Sequence, residues 1–211
     1  MKAMHEKSLG MAWIKLMKVV MEEGMEILDD DQRLKEIRNV CLTIDSVNEN
    51  DAILDIYADK ERIKLMKEKY ATCGLVGEYT IDYGSRIHNN DGVDQLLWVG
   101  NRIRNKRETK SATISLHKPG EEKLPCLSLL DFKLRNGRNT MTAVYRSQNA
   151  YWSMPGNILA LRKIQEEVST DIDAEMDAIE LVVVSSHIYE KDYKKVNEII
   201  NDFIVNSNAL V

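Results

Sequence analysis

Three cysteines occur in this chain, and Cys126 is the one whose neighbours could make it a nucleophile. It follows Pro125 at the start of an apolar run, and Arg146-Ser147 stands further along. Between them Leu130, Phe132 and Leu134 alternate, Asn136-Gly137 follows, and Met141, Ala143 and Tyr145 alternate again. Asn-Gly between alternating runs predicts a hairpin turn, because both central residues tolerate positive φ. A turn at 136–137 sets positions 126 and 146 nearly opposite each other across the hairpin. An arginine beside a thiol favours the thiolate and so raises nucleophilicity. Without such a neighbour, a cysteine is most often a small buried apolar residue.

Three further groups of polar residues could complete a site. Arg146-Ser147-Gln148-Asn149 and then Pro155-Gly156-Asn157 put donors and amides at a strand end ahead of a helix. Capping and turn formation would account for these types in isolation. In a site, Arg146 would hold an anion. Asn157, with both a donor and an acceptor, could match the N3 and O4 edge of a pyrimidine. His187-Ile188-Tyr189 closes an apolar run, and alternation puts its two polar rings on one face. They are either solvated at a strand end or a pair that binds a sugar hydroxyl. Tyr83-Gly84 is weak by itself.

The elements that would position these residues follow from periodicity. Trp13, Leu16, Met17 and Val20 mark one face of a helix closed by Gly24, and Asp29 to Asp31 read as a loop. Val40, Leu42 and Ile44 alternate as a strand. Ala52 to Tyr70 is charged and helix-favouring, with Ile53, Ile56 and Tyr57 as its stripe. Gly74, Gly77 and Gly84 indicate loop. Val93, Leu96, Leu97 and Gly100 fit another helix, Ser111 to His117 a strand, and Ile158 to Val168 a helix. Leu181 to Val184 reads as a buried strand, and Tyr193, Val196, Ile200 and Phe203 as a last amphipathic helix. With no repeat or linker, residues 1–211 read as a single α/β (α+β) domain, a mixed sheet flanked by helices.

Composition bounds the class. Hydrophobic residues at 44% and charged residues at 30% suffice for a core, and a net charge of −5 argues against a nucleic-acid polymer as partner. An odd, low cysteine count gives no disulfide framework, so the expected setting is cytoplasmic. Met1 to Ile14 lacks the uninterrupted apolar stretch of a secretion signal, and no run is long enough to span a membrane.

Taken in order, Tyr83-Gly84, Asp94-Gln95-Leu96, Pro125-Cys126, Arg146-Ser147, Pro155-Gly156-Asn157 and His187-Ile188-Tyr189 resemble the thymidylate synthase superfamily. The likeness spans roughly Tyr83 to Tyr193, and Ser186 to Asp192 looks like the shorter archaeal branch. It implies transfer of a one-carbon unit from 5,10-methylenetetrahydrofolate, or a methanopterin equivalent, to carbon 5 of a pyrimidine nucleotide, with dUMP favoured. Cys126 would attack carbon 6, Arg146 would activate it and hold phosphate with Ser147, and Asn157 would orient the base. His187 and Tyr189 would bind the ribose, and Tyr83 would assist removal of the carbon-5 proton. By distance from Tyr83, the catalytic glutamate would be Glu49. Arg33 would match an early phosphate arginine. No metal is implied. A sheet-on-sheet homodimer is, with phosphate ligands crossing its interface.

The departures are specific. Lys110-Ser111 stand where the family has an Arg-Arg pair, and a lysine offers a charge without a bidentate fork. Asn149 stands in place of an aspartate that contacts the pterin. Lys69 to Asp82 contains no tryptophan, and the tail that closes over cofactor in bacterial members is expected to be absent. Two alternatives follow: a pyrimidine hydroxymethylase, and a nucleotide-binding relative that has lost catalysis. Asn157 favours uracil over cytosine, because cytosine-specific hydroxymethylases typically carry Asp there.

Overall fold

The computed structural model describes residues 1–208. The chain starts with strand β1 (Lys2–Ser8) and helix α1 (Leu9–Glu23), where Ser8 accepts from the Met11 amide as N-cap. Trp13, Leu16, Met17 and Val20 are buried, as their spacing predicts, and the Gly24 amide closes the helix on the Val20 carbonyl. The acidic segment expected as a loop is tighter than that. Asp30 and Asp31, at φ 47° and 61°, form a two-residue turn between β2 (Met25–Asp29) and β3 (Gln32–Ser46).

The expected helix from Ala52 to Tyr70 is two helices, α2 (Ala52–Tyr57) and α3 (Lys60–Ala71). Asp51 and Asp59 each accept from first-turn amides, and Ala58 and Asp59 are extended between the two helices. Leu54, not Ile56, is the buried residue of α2. Tyr83-Gly84 opens a short helix, α4 (Tyr83–His88), capped by Asp82. Gly84 is required there, because a Cβ would lie 2.0 Å from the Thr72 carbonyl oxygen. Helix α5 (Gln95–Asn105) buries Leu96, Val99, Gly100 and Ile103, while Val93 and Leu97 stay exposed.

The rest of the sheet is β4 (Thr113–Ser115), β5 (Leu127–Arg135), β6 (Arg138–Tyr145), β7 (Gln148–Asn149) and β8 (Glu175–Tyr189). Asn136 and Gly137 take φ 51° and 78°, the primed turn their types predict. Helix α6 (Met154–Asp171) lies between β7 and β8, and α7 (Tyr193–Asn208) follows β8. The strand order is β1-β3-β8-β6-β5-β4, with β2 on β3 and β7 on β8. The sheet is mixed: β1/β3, β6/β8 and β7/β8 are parallel, and the remaining pairs are antiparallel.

Register aligns one apolar face. Val40 pairs with Val183, Leu42 with Leu181 and Ile44 with Ile179, while Ala143 and Tyr145 meet Leu181 and Val183 from the other side. These residues are buried in the same cluster as α1 and α6, at roughly 1.5–3 kcal/mol for each fully buried large side chain. The continuous apolar run Leu181–Val184 predicts burial throughout. Within one chain it alternates instead, and Val184 is 46% exposed on the opposite face.

Candidate functional site

The segment before β5 is held from several directions. The Leu129–Arg135 register is regular, but a bulge between Leu127 and Leu129 shifts the pairing by one residue. That shift sets Cys126 across from Arg146, whose amide donates to the Cys126 carbonyl at 2.9 Å. The Arg146 guanidinium turns back on the same segment, with Nε 3.1 Å from the Pro125 carbonyl and Nη2 2.8 Å from that of Leu124. A ring nitrogen of His117 lies 3.0 Å from the Pro125 carbonyl. From below, the Tyr83 hydroxyl accepts the Cys126 amide at 2.7 Å.

Cys126 opens on a cavity of about 600 Å³. Arg146, Ser147, Asn149, His187 and Tyr189 line it with the cysteine, so six of the residues singled out from sequence converge. The parallel β7/β8 pairing is what joins them: Asn149 sits beside His187, and the Ala150 amide bonds the His187 carbonyl. Ser147 Oγ is 3.4 Å from His187 Nδ1, and the His187 and Tyr189 rings meet edge to face at 5.1 Å. Burial lowers the His187 pKa against the pull of Glu36 and Asp29, so the ring favours one N–H and one lone pair. Burial also raises Tyr189, which keeps it a neutral hydroxyl.

Asn149 is committed on one side. Its Oδ1 accepts from the amides of Tyr151 and Trp152 at 3.0 and 2.8 Å, and its Nδ2 has no hydrogen-bond partner among the described residues. Asn157 lies in the first turn of α6, 4% exposed, with its backbone amide on the carbonyl of Ser153, which lines the cavity. Its Oδ1 is buried without a partner, as are both side-chain amide atoms of Gln148 and the Ser186 hydroxyl. An unmet buried polar group costs about 1–3 kcal/mol; these three side chains are not in the cavity lining, although Gln148 and Ser186 stand next to residues that are.

Three expected residues lie elsewhere. Glu49 lines a separate cleft of about 390 Å³ with Arg162 and Lys163, and it bonds Lys67 at 2.7 Å. That hydrogen bond to Lys67 holds its carboxyl below the ordinary value. Lys110 is exposed beside Arg102 and Lys106 in another cleft. Arg33 is exposed on β3, opposite Leu28, on the hairpin that brings Asp29 and Asp30 to the cavity rim.

Several residues in or next to the cavity are not legible in sequence. Arg62 from α3 lines it, donates to Glu78 at 3.2 Å and stacks over the rings of Tyr79 and Trp152. Trp152 and Lys191 line it too. Under Cys126 lies a cluster of Tyr70, Tyr83, Tyr145 and Lys69, in which the Tyr70 and Tyr145 hydroxyls are 2.9 Å apart. Burial raises all three tyrosines, so they stay neutral. Nothing in the spacing of a charged helix marks Arg62 or Lys69. Only the packing of α3 against α4 and α6 directs them inward. No metal-ligating cluster occurs among the described residues.

Comparison with known proteins gives a wider match than the motifs alone. The family model for thymidylate synthase matches residues 13–207. The chain is 31% identical over 207 residues to a protein provisionally named thymidylate synthase from Methanothermobacter thermautotrophicus, covering 89% of this chain and 93% of that one. Relatives with the same provisional name come from Methanothermobacter marburgensis, 28% identical over 90% and 94% of the two chains, and Methanococcoides burtonii, 29% over 92% of each.

Proposed function

As the chain belongs to the thymidylate synthase family, we propose that it moves a one-carbon unit onto carbon 5 of a pyrimidine nucleotide, converting dUMP to dTMP through a covalent bond from Cys126. One observation carries the reading: Cys126, Arg146, Ser147, Asn149, His187 and Tyr189 share a single cavity, and Arg146 anchors the segment that bears the thiol.

Cys126 Sγ bonds carbon 6, and the electron pair of the 5,6 double bond moves onto carbon 5 and the 4-carbonyl. Carbon 5 would take up the one-carbon unit as the bonds from that unit to its donor nitrogens break, and would lose its proton; delivery of hydride to the methylene would then complete the methyl group as Sγ leaves and the 5,6 double bond returns. Arg146 Nη1, which has no hydrogen bond among the described residues, faces the phosphate with Ser147. Asn157 meets N3 and O4 of the base with its unmatched amide oxygen and its NH₂. His187 and Tyr189 hold the ribose hydroxyl. Tyr83 positions Cys126 through the backbone and assists carbon-5 proton removal by way of ordered water.

When bound, methylenetetrahydrofolate or a methanopterin equivalent supplies the methylene carbon and the hydride that make a methyl group. The residues present fit such a group. Trp152 offers a flat ring, and the free Nδ2 of Asn149 offers a donor that suits a pterin carbonyl rather than its N–H pair. The sheet face bearing Val184 would be covered by a second copy, and Lys110 would serve the partner's phosphate site, with Arg33 on the hairpin at the rim of its own. The setting we assign is the cytoplasm.

Tritium release from carbon-5-labelled dUMP, UMP, dCMP and CMP, with and without methylenetetrahydrofolate, tests the reading. Release from dUMP that disappears in Cys126→Ala is the expected result, and product mass then separates methyl from hydroxymethyl. Absence of release from all four, in folded protein that binds nucleotide, would leave a binding protein.

A further inference from the structure

Lys69 is a buried cation without an anion. It lies in the last turn of α3 and is 6% exposed. Its Nζ sits 4.2 Å from the ring centroid of Tyr83, 4.4 Å from that of Tyr79 and 5.3 Å from that of Tyr70. Among the described residues no carboxylate pairs with it and no acceptor hydrogen-bonds it. A buried ammonium normally requires a charged or hydrogen-bonded partner. Ring faces supply roughly 0.5–2 kcal/mol each, which softens that cost without neutralising the charge.

The charges around Lys69 indicate what it serves. Arg62, on the same helix, repels it, and the tyrosines from α3, α4 and the connecting loop are kept neutral by burial. Glu78, the acid next to Tyr79, is engaged with Arg62. The group that pulls toward the charged form of Lys69 is Cys126, directly beyond Tyr83, whose hydroxyl holds the Cys126 amide.

We propose that Lys69 is the buried counter-charge of the Cys126 thiolate, a positioning residue that keeps the thiol ionised from beneath while Arg146 is committed to carbonyls from the side. This rests on Cys126 being the nucleophile of the reading above. Burial brings the Lys69 pKa down to about 8, and an adjacent negative charge favours its ammonium form, so a thiolate formed at Cys126 would meet a buried cation through Tyr83. Lysine suits this task because its charge responds to its surroundings more readily than that of arginine.

The test is the pH dependence of Cys126 alkylation by iodoacetamide in ligand-free full-length protein, read at the Cys126 peptide by mass spectrometry so that Cys41 and Cys73 do not interfere. In Lys69→Met the alkylation midpoint should rise by about one unit or more, as expected for removal of a nearby opposite charge. The rate at neutral pH should fall about tenfold with the thiolate fraction. Lys69→Arg, charged at every accessible pH, should hold the midpoint at or below that of the natural protein. Should Lys69→Met fail to fold, Lys69→Gln carries the same readout. A midpoint unmoved in a folded, uncharged variant overturns the proposal, whatever happens to its melting temperature. Because no substrate is used, the two readings separate. A midpoint that follows Lys69 without tritium release would retain this pairing and remove the proposed reaction. Tritium release with an unmoved midpoint would do the reverse.

Discussion

Two charged clefts in this molecule look alike in composition and differ in what their side chains have left to offer. The cleft around Glu49 gathers Asp45, Glu49, Arg162, Lys163, Glu166 and Asp177. There Glu49 pairs with Lys67, Lys163 with Glu166 and Arg138 with Asp177, and Arg162 donates to Gln165 and to the Asp177 carbonyl. Exposed pairs of that kind contribute little, at about 0–1 kcal/mol each. The Cys126 cavity also mixes signs, with Arg62, Arg146 and Lys191 facing Asp29, Asp30 and Glu78. Its lining holds a half-buried thiol, and residues that adjoin the lining include a buried lysine without an anion and the unmatched polar atoms of Asn157, Gln148 and Ser186; in the Glu49 cleft the unmatched buried atom is Arg162 Nε. Charge density therefore does not separate the two clefts, whereas the thiol in the lining of one of them does.

The largest effect that would sharpen this contrast is expected from Arg146→Ala. It removes two charge-assisted bonds to the Leu124 and Pro125 carbonyls and the cation meant for phosphate. At roughly 1.5–3 kcal/mol per bond to a charged group, kcat/KM for dUMP should fall on the order of 10²- to 10⁴-fold. A loss under tenfold in steady-state kinetics would mean that the thiol segment is held adequately without it.

Asn157→Asp should act on choice rather than on rate. A carboxyl that mismatches the N3–O4 edge of uracil costs about 1–3 kcal/mol, so the dUMP-to-dCMP ratio of tritium release should drop roughly 10- to 100-fold. An unchanged ratio would remove Asn157 from base recognition and leave its buried oxygen to be explained by packing.

Glu49→Gln is the smallest expected change and the sharpest way to break the comparison. Loss of an exposed ion pair with Lys67 should shift unfolding free energy by less than about 1 kcal/mol in a denaturant titration. Measured alongside it, a fall in carbon-5 tritium release of about 10²-fold or more would be the signature of a general acid or base. That result would restore Glu49 as the catalytic glutamate and join the two clefts into one functional surface.

Local chemistry alone made much of this protein legible. Asn136-Gly137 determined the hairpin, because few residue pairs accept two positive φ angles in succession. Alternation placed His187 and Tyr189 on one face, and helical spacing identified α1. The order Cys126, Arg146-Ser147, Asn157, His187-x-Tyr189 carried the family. Boundaries and breaks were less accessible. The interruption at Asp59 and the short helix at Tyr83 depend on caps that also occur in loops, and strand β1 exists through its pairing with β3.

What only tertiary structure decided is which charged residues turn inward. Arg62, Lys69 and Glu49 belong to hydrophilic stretches of the same character in sequence. The packing of α3 against α4 and α6 brings Arg62 and Lys69 toward the cysteine, whereas Glu49, in the segment between β3 and α2, lies in another cleft. The bulge at Ser128 that sets Cys126 opposite Arg146 is likewise a property of the paired strands. Periodicity reports which face a residue takes on its own element. Burial of a charge, and the company it keeps there, depends on contacts between elements far apart in the chain.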